Sequence, residues 1–196
     1  PHLNPNRKKL HTIERQKEQL KAAGISKMFK PDWNYFQPSI RKFNIEKPYA
    51  ILVPGGSKHR KNKRWSFKNF LEIIQYLGKK NITSVLVGGA DEKDIYDNKK
   101  KNNSVVNLIG KTNYRDLAYL SSRAKLILGN DTGPMHLLVA CSKDKIAKIV
   151  LFGQASDPTL CAPTGKNVII VKENDINDIR TKSIKKLINK KNYSKL

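Results

Sequence analysis

The chain has 196 residues, 38% of them hydrophobic, and its 39 Lys and Arg against 16 Asp and Glu give a formal charge of +23. That length accommodates one domain of about 150 residues plus an appendage; no run reaches the roughly 18 apolar residues of a membrane span, and the opening PHLNPNRKK has no apolar signal core. Two cysteines, Cys141 and Cys161, exclude a disulfide framework and a structural zinc site and fit a reducing cytoplasm.

The cationic excess has two readings: affinity for polyanions such as nucleic acid, anionic lipid or phosphorylated substrates, or a solvated lysine surface. In chain order, KKLHTIERQKEQLKAAGI (residues 8–25) predicts a helix with Leu10, Ile13, Leu20 and Ala23 along one broken face and Gly24 as its stop. FKPDWNYFQPSIRKFNIEKP then carries three prolines and five aromatics and reads as extended chain. Residues 1–48 therefore form a helical and extended arm that packs on the following domain or on another one.

From Tyr49 the pattern becomes regular. YAILV, ITSVLV, SVVNLI, AKLILG, AKIVLF and NVIIV are short, nearly continuous apolar runs, the pattern of strands buried on both faces. Helices are expected between and after them over 66–79, 91–101, 113–123, 134–142 and 174–189. In the first, Phe67, Phe70, Leu71, Ile74 and Leu77 recur at helical spacing behind Ser66 as N-cap. Six strands alternating with helices predict an α/β domain over 49–196, a doubly wound parallel six-stranded sheet that binds ligands beyond the carboxyl ends of its strands.

Four loops at that edge carry candidate chemistry. PGGSKHRKNKRW (54–65) offers a glycine turn, the Ser57 hydroxyl and five cations including Lys63 as phosphate donors, or is a solvated basic loop; the Walker spacing is missing. GGADE (88–92) places Glu92 either as a helix-start acid or as an acceptor for ribose hydroxyls. GKTNYRD (110–116) points Lys111 and Thr112 towards the same crevice, with Asn113 as N-cap. In GNDTGPMHLLVA (129–140), Asp131 either caps the next helix or orients ligand hydroxyls. The amides of Thr132 and Gly133 open that helix and suit an anion, and His136 is either packed beside the sheet or a phosphate donor. No second histidine or carboxylate pair at metal spacing accompanies His136, so neither a metal nor another cofactor is expected.

The succession PGG, KRW, GGADE, NLIGKT, LAYLSSRAKLILGNDTGPMH and VLFGQASDP, over about residues 49–165, resembles the carboxyl-terminal domain of the lipopolysaccharide heptosyltransferases, glycosyltransferase family nine. HTIERQKEQLKAAGI is similar to the helix that leads into that domain. The resemblance implies the Rossmann-like carboxyl-terminal half of a GT-B glycosyltransferase that binds ADP-heptose. It implies that Lys63 contacts the donor near its phosphates and sugar, Glu92 the ribose, and Asp131 the donor sugar, with Thr132, Gly133 and His136 forming the diphosphate-binding turn and Ser57 lying in the adjoining loop.

A complete enzyme of this kind also has an amino-terminal domain of about 150 residues that holds the acceptor and the general base, which the arm does not match. The chain is therefore expected to be the donor-binding half of an inverting enzyme, inactive alone. The whole enzyme is expected at the inner face of the bacterial inner membrane, cytoplasmic and peripheral, with the lipopolysaccharide core and lipid A as acceptor. Two alternatives stand beside this reading: a GT-B transferase for another nucleotide-sugar, and a basic non-catalytic module that binds nucleotides or nucleic acid. Against nucleic acid, no helix-turn-helix pattern and no interleaving of aromatic and basic residues on strands is present.

Overall fold

The computed structural model describes residues 4–29, 43, 45, 48–56, 59–96 and 102–190. Strands β1 (Tyr49–Val53), β2 (Thr83–Leu86), β3 (Val105–Asn107), β4 (Leu126–Asn130), β5 (Ala147–Phe152) and β6 (Val168–Lys172) form one sheet in the order β3-β2-β1-β4-β5-β6. Every neighbouring pair is parallel. The order reverses between β1 and β4, the switch point at which such sheets open a crevice at their carboxyl edge.

The continuous apolar runs are explained by helices on both faces. Alternation along each strand sends Ala50, Leu52, Leu126, Leu128, Ile149 and Leu151 to one core, shared with Phe70, Ile73, Ile74 and Leu77 of α2 (Phe67–Gly78) and Ile184 and Ile188 of α6 (Thr181–Lys190). Ile51, Val53, Ile127, Val150 and Phe152 point the other way, onto Leu117 and Leu120 of α3 (Tyr114–Arg123) and Met135 and Leu138 of α4 (Gly133–Cys141). Cys141, the last residue of α4, is buried as a small core residue. At the switch point Val53 lies opposite Gly129. A Cβ on Gly129 would come within 2.5 Å of the Val53 Cβ and 3.0 Å of its carbonyl oxygen, so glycine is required by the approach of β1 to β4.

Several expected elements differ in detail. In α2, Leu71 is exposed and Ile73 takes its place in the core; Ser66 holds the N-cap position without a side-chain cap bond. The Asn113 cap is fully formed: its side chain accepts from Asp116 N at 2.9 Å, and Asn113 N donates to the Asp116 carboxylate at 2.9 Å. The helix expected over 91–101 is a 3-10 turn, Ala90–Ile95, because Glu92 turns inward to accept backbone amides; residues 97–101 lie outside the described ones. The helix expected over 174–189 is broken into a 3-10 turn, Ile176–Asp178, and α6. The Asp175 carboxylate caps Asn177 N, and the Ile179 carbonyl is taken by the Trp65 indole at 3.0 Å. A short helix absent from the sequence reading, α5 (Pro158–Cys161), starts on Asp157, whose side chain accepts from Thr159 N at 3.0 Å, with proline in the first turn.

The arm begins with a 3-10 turn, Arg7–Lys9, and continues as α1 (Thr12–Ala22); Gly24, at φ 82°, ends it as expected. Its contacts with the domain include polar bonds to α5, from Thr12 Oγ1 to the Leu160 carbonyl and between His11 Nε2 and the Ala162 carbonyl, each 3.0 Å. Ile13 and Leu20 remain exposed. Most of the segment read as extended, 30–42, 44, 46 and 47, lies outside the described residues, while Phe43 and Ile45 pack on the α3 and α4 side of the core. Among the described residues no helix is long and apolar enough to cross a membrane.

Candidate functional site

At the carboxyl edge, three loops enclose a cleft of about 560 Å³. The loop after β1 contributes Gly55, Gly56, Arg60 and Lys63, the loop after β2 Gly89, Asp91 and Glu92, and the junction of β4 with α4 Asp131, Thr132, Gly133 and Pro134. Lys111, Thr112 and His136 are not among the lining residues, and Ser57 lies outside the described residues. The third loop therefore does not join the other three in the way its motif led one to expect.

Asn130, the last residue of β4, holds the first loop in place. It is fully buried; its amide donates to the Pro54 and Gly55 carbonyls at 2.8 and 3.1 Å, and its Oδ1 accepts from Trp65 N at 3.1 Å. Trp65 is itself anchored, edge-on to Phe70 with ring centroids 5.1 Å apart. Both ends of the basic loop are thus tied down, which carries Lys63, two residues before Trp65, over the end of β4. The only trace of Asn130's task in the sequence is a polar residue at the end of an otherwise apolar strand.

Asp131 follows directly. It is buried, and its Oδ2 accepts from Lys63 Nζ and from Ser156 Oγ, both at 2.9 Å, while its Oδ1 lies 3.5 Å from His136 Nε2. Burial pushes its carboxyl pKa up, but hydrogen bonds from His136, Lys63 and Ser156 and the Lys63 charge outweigh this and hold it at about 2. Asp131 is therefore anionic at neutral pH. The α4 N-cap is Thr132, not Asp131, so the capping role is ruled out. The first helical bond of α4, His136 N to Thr132 O at 3.3 Å, leaves the amides of Thr132 and Gly133 ahead of it at the positive end of the helix. The Thr132 hydroxyl is buried and has no hydrogen-bond partner among the described residues.

Glu92 has a different environment. It is buried, accepts from Gly89 N at 2.8 Å and also accepts from Gly56 N, so its carboxylate ties the first loop to the second. A Cβ on either Gly55 or Gly88 would overlap that carboxylate. Arg64 adds a bond to the Gly56 carbonyl. Glu92 is thus a brace between loops as well as a cleft residue. Arg60 and Asp91, which also face the cleft, were not singled out by any motif. Among the described residues no three His, Cys, Asp or Glu side chains gather as a metal site.

The fold and this cleft define a doubly wound α/β domain with a charged site at its switch point. The model of Glycosyltransferase family 9 (heptosyltransferase) matches residues 6–191, and the chain belongs to that family. Lipopolysaccharide heptosyltransferase 3 of Escherichia coli (strain K12) is 25% identical over 172 residues, 81% of this chain and 48% of that protein. Lipooligosaccharide heptosyltransferase 2 of Haemophilus ducreyi is 24% identical over 132 residues, 64% of this chain and 37% of that protein. The chain thus spans about half or less of the length of these relatives. Among solved structures, the E. coli heptosyltransferase WaaC with ADP shares the fold with a TM-score of 0.74 and 22% identity, over 97% of this chain and 59% of that one. The glycosyl transferase family 9 protein from Veillonella parvula DSM 2008 does so at 0.72 and 17%, over 97% and 62%.

Proposed function

We propose that the chain is the donor-binding half of an inverting glycosyltransferase that transfers heptose from ADP-heptose to the inner core of lipopolysaccharide. The observation that carries this reading is the Lys63–Asp131 pair beside the open start of α4, in a chain of this family. Relatives named as lipopolysaccharide and lipooligosaccharide heptosyltransferases, and a fold neighbour described with ADP, support the substrate class.

In the proposed reaction an acceptor hydroxyl attacks the anomeric carbon, the bond from that carbon to the diphosphate breaks, and ADP departs with the bonding electrons. The acceptor proton passes to a general base assigned to the part of the relatives that this chain does not span. Negative charge grows on the diphosphate as the bond breaks, and the Lys63 ammonium, the Thr132 and Gly133 amides and the positive end of α4 stand where that charge develops. Asp131 accepts sugar hydroxyls. Glu92, with its remaining lone pairs, accepts from the ribose while bracing the glycine loops. The surplus of cations suits work at an anionic membrane surface, where the acceptor resides.

Titration calorimetry with ADP is the test. Lys63→Ala is expected to weaken ADP, and Asp131→Ala to weaken ADP-heptose titrated in the same way, each by about 2 kcal/mol for the loss of one charge-assisted contact; ADP affinity unchanged in the first and ADP-heptose affinity unchanged in the second would show the site to be elsewhere. Tighter binding of UDP or GDP than of ADP would move the donor assignment to another nucleotide-sugar.

A further inference from the structure

The two oxygens of Asp131 are used unequally. Oδ2 accepts at 2.9 Å from Lys63 Nζ and from Ser156 Oγ and at 4.0 Å from Cys161 Sγ, whereas among the described residues Oδ1 meets only His136 Nε2 at 3.5 Å, a side chain 45% exposed. The carboxylate is therefore held through one oxygen and offers the other.

The two nearer holders are not equivalent. Lys63 reaches Asp131 on a flexible four-carbon stem, and its charge is also drawn to a diphosphate in the cleft. Ser156 has a single rotor, costs little to order, and sits on a constrained loop between β5 and α5. That loop starts at Gly153, where a Cβ would press on Ile176 at 3.2 Å. It ends in the Asp157 cap of α5, and α5 is in turn bonded to the arm through the Leu160 and Ala162 carbonyls. A short hydroxyl on a tethered loop is suited to fix the orientation of a carboxylate.

We propose that Ser156 is a positioning residue for donor-sugar recognition: by donating to Asp131 Oδ2 it fixes the carboxylate so that Oδ1 faces the sugar hydroxyls. This rests on the donor-binding reading above. Ser156 acts through Asp131 and does not touch the donor itself, so its removal affects the sugar and spares the nucleotide.

The test compares ADP with ADP-heptose by titration calorimetry on the chain. Ser156→Ala is expected to weaken ADP-heptose about fivefold, the loss of one hydrogen bond to a charged acceptor, and to leave ADP within about twofold, while Ser156→Thr, which keeps the hydroxyl, restores the affinity. In an Asp131→Ala background, Ser156→Ala is expected to cost less than about twofold more, since the two residues act as one unit. A second readout needs no ligand: the Asp131 carboxyl, followed by carbon-13 NMR, should titrate higher in Ser156→Ala than in the parent or in Ser156→Thr. An unmoved titration overturns the proposal. So does a fivefold loss that persists without Asp131, which would mean direct contact with the donor, and so does an equal loss for ADP and ADP-heptose, which would mean a general loosening of the cleft. Failure of the parent chain to bind ADP, with the carboxyl titration shifted as expected, would instead overturn the donor-binding reading and leave the Ser156 to Asp131 coupling standing.

Discussion

Glu92 and Asp131 are both acids at the carboxyl edge of one sheet, both are buried, and in the sequence both are candidates for ligand hydroxyls. Their surroundings divide their roles. Glu92 accepts from two backbone amides, Gly56 N and Gly89 N, whereas Asp131 accepts from side chains, Lys63, Ser156 and, at 4.0 Å, the Cys161 thiol, beside a histidine. Backbone amides belong to the path of the chain, so Glu92 sets the shape of two loops. Side-chain donors can be redirected, so Asp131 sets a local charge pattern that a ligand can enter.

That division can be broken experimentally. The largest effect is expected from Glu92→Ala, which strands two amides and opens the space between the glycine loops: a loss of about 3 kcal/mol of stability, read from urea unfolding, at about 1–3 kcal/mol per unsatisfied buried group. The next concerns acid. The Asp131 carboxyl sits at about 2, below its ordinary 3.8, so the unfolded chain binds the proton more readily. The stabilisation is complete above pH 3.8 and disappears as pH falls through 2, about 2 kcal/mol in all. Unfolding measured from pH 5 down to pH 2 should show this loss in the parent and a correspondingly flatter limb in Asp131→Asn. The smallest effect is expected of Lys111→Ala, whose side chain lies off the cleft: ADP affinity by calorimetry within about twofold and stability within about 0.5 kcal/mol of the parent. A large loss there would return the third loop to the site.

The four central strands were readable because burial on both faces leaves an uninterrupted apolar run; the edge strands β3 and β6 are only partly buried but equally apolar, and all six runs became strands whose ends shift by at most two residues. The site loops were readable for the same reason, since a doubly wound sheet exposes its chemistry just after each run. Long-range side-chain partners were not. Asn130 bonds to a carbonyl 76 positions away, and Ser156 to a carboxylate 25 positions away; no local spacing encodes either pairing. The same limit explains the turn at Ala90–Ile95, read as an α-helix because its acids looked like a helix start. The inward bonds of Glu92 depend on Gly56, in a loop after a different strand.

Gly129 acts as a gauge for the cleft. Nothing larger than hydrogen fits between it and Val53, and the two strands that meet there go on to form opposite jaws, one ending in the glycine turn with its trailing cations and the other in Asp131. An alanine at this position would act as a wedge at the hinge of those jaws, moving ammonium and carboxylate apart while changing the identity of no lining residue. The reach of Lys63 to Asp131 is therefore governed from inside the sheet, by a residue that no ligand touches.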